Sequence, residues 1–168
     1  METIEAKTTN STSTVMTSES LLNHWQGHRR LTRRVIEAFP EDKLFTYSVG
    51  GMRPFAQLVM EMLVMGAPGI RGVVEGKWPT YGDQEAAIQP KTKQELLALW
   101  DESSEEINKF WPQITAERFQ ENDKFFGQYE GPIYWSILYL IDNEIHHRAQ
   151  GYVYLRSLGI APPAFWDR

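Results

Sequence analysis

Apolar residues recur three and four positions apart in four separate stretches of this chain, each closed by proline or glycine. That pattern commits the chain to helices packed on helices, because a helix with one apolar stripe must bury it against another element. The first stretch begins near Ser18 or Ser20, where a serine hydroxyl suits a free amide of the first turn. It carries Leu21, Leu22, Trp25, Leu31, Val35 and Ile36 to about Ala38, and Pro40 ends it. The second starts close to Pro54, carries Phe55, Leu58, Met62 and Met65, and is expected to stop at Gly66 and Pro68. In the third, Thr92 and Glu95 fit a capping box ahead of Leu96, Leu97, Trp100, Ile107 and Trp111, up to Pro112. The fourth runs from about Pro132 to Leu158, roughly 40 Å at 1.5 Å per residue, with Gly159 where a left-handed residue belongs.

Between the second and third stretches, Gly66 to Pro90 holds five glycines and three prolines and reads as a long connection. Phe45 to Gly51 reads as an extended stretch and turn, and nothing reads as a sheet. The expectation is therefore an all-α protein, a four-helix bundle over residues 20–168, after a flexible tail at 1–19 rich in serine and threonine. The chain's 168 residues suffice for one core.

Composition excludes several chemistries. With no cysteine there is no disulfide scaffold, zinc-thiolate site, iron–sulfur cluster or cysteine nucleophile. A surplus of 22 acidic over 17 basic side chains, a formal charge of -5, argues against nucleic acid as a partner. No run of eighteen uninterrupted apolar residues suggests a membrane span. The tail lacks the cationic start and apolar run of a secretory signal, so a cytoplasmic location is expected. No phosphate loop, dinucleotide fingerprint or Gly-x-Ser-x-Gly turn is present.

The polar residues that fall on apolar faces are the candidates for function. Glu61 lies inside the Phe55–Leu58–Met62–Met65 stripe, where an unpaired carboxylate is costly. On the last helix the apolar face continues through Asn143, Glu144 and His147, with His146 turned about 100° away. Asn143 and His147 are four apart and so share a face. Glu61, Asn143 and His147 form a nitrogen–oxygen set that suits zinc, nickel, iron or manganese. The other reading is a buried network in which Glu61 pairs with His147 or Arg148, without metal. His24 and His28 are also four apart, in a polar setting that makes a solvated or half-buried pair the expectation. Arg29, Arg30, Arg33 and Arg34 read as a solvated face, and Trp25, Trp100, Trp111, Trp135 and Trp166 as core and cap fillers. A di-metal carboxylate bundle needs a second Glu-x-x-His motif, which is missing.

The run Asn143-Glu144-Ile145-His146-His147-Arg148-Ala149-Gln150, followed by Tyr152-Val153-Tyr154-Leu155-Arg156 and Leu158-Gly159, resembles the signature of the DinB-like superfamily, His-x-x-x-His-Arg-Gly-Gln. Gly51 to Met65 resembles that family's second helix. The resemblance implies a four-helix bundle with a long crossover between the second and third helices. It also implies a divalent metal held by one histidine on the second helix and two on the last. Here His147 matches one of the three, Asn143 and Glu61 stand at the other two positions, and Ala149 replaces the motif glycine. What the resemblance implies about activity is metal-dependent transfer of a low-molecular-weight thiol, or isomerisation of maleylpyruvate, on a small-molecule substrate by a homodimer. A metal lowers the pKa of a bound thiol or water in such chemistry. His146, Glu144 and Tyr154 are then candidate acids or bases near the ion. The alternative is a catalytically degenerate relative that dimerises or binds a small ligand.

Overall fold

The computed structural model describes residues 15–80, 82 and 89–168. Most of the tail, residues 1–14, lies outside that range. Four long helices dominate the described residues. Helix α1 (Ser18–Ala38) starts two residues inside the proposed tail, where the Thr17 hydroxyl accepts from the Ser20 amide at 3.0 Å. A short helix α2 (Glu41–Leu44) follows Pro40. Helix α3 spans Phe55–Glu75, α4 Lys93–Phe110, and α6 Ile133–Ser157; a single 3-10 turn (Trp111–Gln113) and a short helix α5 (Ala116–Gln120) come between the last two. Thr92 caps α4 as expected, but the Glu95 carboxylate accepts from the Lys91 amide rather than from the cap residue.

Two expectations fail. Helix α3 does not stop at Gly66 and Pro68 but runs a further turn and more, to Glu75, with Gly76 in the left-handed conformation as its cap. The small residues that look like breakers instead admit neighbours to the helix surface. A Cβ at Gly66 would stand 3.6 Å from the Arg29 guanidinium, and one at Gly69 would stand 3.0 Å from the Phe125 ring. Burial on all sides outweighs the lost amide of Pro68. The connection expected from Gly66 therefore begins only at Gly76, and its residues 81 and 83–88 lie outside the described residues. Second, a sheet exists. β1 (Asn122–Phe125) pairs antiparallel with β2 (Tyr129–Pro132), with Phe125 opposite Tyr129.

The long helices touch in a ring, α1 to α4, α4 to α3, α3 to α6 and α6 back to α1. The apolar side chains form two clusters along this ring. One joins Leu21 and Trp25 of α1 to Ile70 of α3, Ile107 of α4 and Ile137 of α6. The other joins Val35 and Ile36 to Phe55 and Leu58, Trp100 and Tyr154. Between them the buried residues are polar: His28, Arg29 and Thr32 of α1, Ser103 of α4, and Glu144, His147 and Arg148 of α6. By length and hydropathy α3 is the one described helix that passes as a membrane span, but 72% of that window is buried inside the protein, as in a core helix.

Candidate functional site

Glu61 and His147 meet at one edge of the polar layer. Helix α3 presents Glu61 and the middle of α6 presents Asn143 and His147, and the three side chains touch. His147 Nε2 lies 2.8 Å from Glu61 Oε1, and Asn143 Nδ2 donates to the same oxygen at 3.0 Å. The other oxygen, Oε2, accepts from the Arg53 guanidinium at 2.6 Å. His147 Nδ1 stands 3.0 Å from Gln150 Oε1, so both ring nitrogens face oxygen. The Tyr154 hydroxyl donates to the Arg53 carbonyl at 3.0 Å and fixes the loop from which Arg53 reaches back. Glu61 is half-buried, not sunk in the apolar interior as its stripe position suggests, and Arg53 is exposed.

The electrostatics follow from these contacts. Burial alone would raise the Glu61 pKa, but hydrogen bonds from His147, Arg53 and Asn143 outweigh it and hold the carboxyl at about 2. The carboxylate thus has a donor on each oxygen and a guanidinium for its charge. Such a set does not fit a divalent ion as it stands. Both Glu61 oxygens are already engaged, one by the Arg53 guanidinium, so an ion would have to displace that cation. No buried side-chain atom of this group is left without a partner. Among the described residues no group of three His, Cys, Asp or Glu side chains could hold a metal.

The remaining candidates sit elsewhere. Glu144 turns toward α1, where it accepts from Trp25 Nε1 at 3.0 Å and from Thr32 Oγ1 at 2.6 Å. Arg29 and Arg148 flank it at 3.8 Å each. His146 is exposed, and its ring meets His147 edge-on at 5.1 Å. The solvated-face reading of Arg29 is wrong: it is 1% exposed. Its guanidinium stacks 4.0 Å from the Trp100 ring and donates to Ser104 Oγ and the Trp100 carbonyl. Burial pulls its pKa down to about 10. His28 is buried too. Its Nδ1 accepts from Arg148 at 2.9 Å, and Nε2 faces His24 at 3.2 Å and Arg168 at 2.9 Å. Burial first, then Arg148, His24 and Arg168, lower its pKa to about 4, so it is neutral at pH 7.

Arg53 and Gln150 complete the site and were not among the sequence candidates. Gln150 was legible as the end of the last-helix motif, three residues after His147. Arg53 lies in a loop, where no periodicity indicates direction.

The comparisons agree with this architecture. The DinB family model matches residues 8–167, and the chain belongs to that family. A DinB-like protein from Bacillus subtilis, YjoA, superposes with a TM-score of 0.69 at 19% identity, covering 88% of this chain and 98% of that one. A DinB-like protein from Bacillus cereus ATCC 10987 gives a TM-score of 0.67 at 17% identity, covering 87% of this chain and 95% of that one. No curated protein matches.

Proposed function

We propose that this protein is a catalytically degenerate DinB four-helix bundle, with its crossover between α3 and α4, that binds a small ligand and needs no divalent ion. The observation that carries the reading is the 2.6 Å contact between Arg53 and Glu61. A fixed guanidinium supplies the positive charge that an ion would otherwise bring, and the hydrogen bonds from His147 and Asn143 complete the carboxylate's shell. The same proposal has the protein as a cytoplasmic homodimer. Its support is an exposed apolar band on α6, where Tyr134, Trp135, Leu138 and Tyr139 follow at helical spacing.

A second reading, metal-dependent transfer of a low-molecular-weight thiol, has one observation in its favour. Glu61, Asn143 and His147 do converge, and Gln150 orients the imidazole from its far side as an outer partner of a ligating histidine would. It requires Arg53 to leave Glu61. Elemental analysis of protein purified without an affinity tag separates the two readings, followed by thermal shift with zinc, nickel and manganese. Less than a tenth of an equivalent of metal, with no rise in Tm, is expected. Stoichiometric metal lost in Glu61→Ala/His147→Ala would replace the first reading by the second.

A further inference from the structure

Past Gly159 the chain turns back over α6, and residues 162–166 face one side of that helix across a cavity of about 600 Å³. The returning segment does not pack its aromatics into the bundle as cap fillers. Phe165 and Trp166 are 63% and 72% exposed. Two contacts with α1 hold the segment instead. Arg34 pairs with Asp167, and the Arg168 guanidinium stands 2.9 Å from His28 Nε2. Gly27 leaves room for the second, since a Cβ there would stand 3.3 Å from that of Arg168. The Arg34–Asp167 pair is exposed, and such a pair holds little against water. The contact with His28 is the one that reaches the buried polar layer.

His28 is claimed from both sides. A neutral imidazole has one lone pair, and a protonated one has none. Arg148 of α6 claims the lone pair at Nδ1 and Arg168 claims it at Nε2, so each tautomer serves one guanidinium. Arg148 has other acceptors, the His28 carbonyl and the Thr32 hydroxyl, each at 3.2 Å. Arg168 has no other acceptor among the described residues. A proton on His28 therefore removes from Arg168 the only partner it has. It also places an imidazolium among Arg148, Arg168 and, on its own helix, His24 at 3.2 Å. The acids nearby face other cations, Glu144 of α6 between Arg29 and Arg148, and Asp167 against Arg34. Lifting the segment would give His28 water and remove one neighbouring cation.

We propose that residues 162–168 form an acid-released latch, in which a proton on His28 frees Arg168 and the segment lifts from α1 while the four long helices stay packed. Opening uncovers His28 and removes the wall that Pro162, Pro163 and Trp166 give to the cavity against α6. Burial first, then the neighbouring cations, holds the closed-state pKa of His28 at about 4, below the ordinary 6.5. The latch is thus complete above about pH 6.5 and loosens as pH falls toward 4. The latch uses none of Arg53, Glu61, Asn143 and His147, so its failure leaves the proposed function standing. The test is NMR of the isotope-labelled full chain between pH 7.5 and 4, reading the His28 ring and the heteronuclear NOE of each backbone amide. The NOE of residues 165–168 is expected to fall with a midpoint between pH 6.5 and 4, while that of α1 and α6 is unchanged. Binding is reciprocal, so Arg168→Ala is expected to raise the proton affinity of His28 at least about threefold. His28→Gln, which offers Arg168 a carbonyl that does not titrate, is expected to keep the latch closed over the whole range. An NOE in the segment that stays constant down to pH 4, or falls together with that of the helices, would overturn the proposal. So would the same transition in His28→Gln, or an unchanged His28 midpoint in Arg168→Ala.

Discussion

Glu61 shows how far a single position can be read. Its place inside an apolar stripe marks it as a carboxylate in need of a partner, and the spacing of Asn143 and His147 identifies two of the three it finds. The third, Arg53, comes from a loop and is invisible to periodicity. The consequence is measurable. The folded-state pKa of Glu61 lies near 2, below its usual 4.5. Its contribution to stability is therefore complete above about pH 4.5 and is lost as pH falls toward 2. Urea midpoints of wild type and Glu61→Gln are expected to converge over that window, and parallel curves would contradict the contacts described. Glu144 makes a sharper case. It is 2% exposed between two buried arginines. Glu144→Ala strands both charges and is expected to cost about 3–5 kcal/mol by chemical denaturation. A loss below about 1 kcal/mol would mean that water reaches the layer. The sequence marks Glu144 as inward-facing but misjudges Arg29 and His28, because a basic run on one helix looks the same whether a neighbour covers it or not.

At the scale of elements, the long helices are legible because their apolar spacing and caps agree. Their ends are less so where tertiary packing overrules local preference, as at Gly66 and Pro68 of α3. The hairpin escapes a pattern reading for a different reason. Its strands are four residues long and bury only Phe125 fully, so there is no alternation to detect. Its turn even places Phe126 at φ 51, a conformation that bulky residues avoid. That ring lies 5.9 Å from Trp78 and 4.8 Å from Phe125, contacts that no local rule foresees. Where α3 and α6 pack, Gly151 accepts the buried Phe55 ring, which also stacks on Phe39 at 4.8 Å. In an isolated helix Gly→Ala stabilises by about 1 kcal/mol. Here Gly151→Ala drives a methyl into the Phe55 ring and is expected to destabilise by about 1–3 kcal/mol in urea titration. A stabilised variant would show that the two helices separate freely.

For the whole molecule, the ring of four long helices and the split of its core into two apolar ends around a polar layer set what can be tested. The exposed band on α6 predicts a particle of twice the 19.5 kDa chain mass by light scattering, reduced to a monomer by Trp135→Asp with Tyr139→Asp. A monomeric wild type would remove the dimer from the proposal. Family and fold were legible from one helical motif and the apolar spacing. The Arg53–Glu61 contact was not, because it turns on which cation a carboxylate faces across space. That choice is decided by zinc affinity measured on two proteins side by side. Wild type is expected to show no zinc-dependent rise in Tm, whereas Arg53→Ala, which frees Glu61 of its guanidinium, is expected to acquire one. Tight stoichiometric zinc binding by the wild type, with Arg53 intact, would contradict a guanidinium in the ion's place.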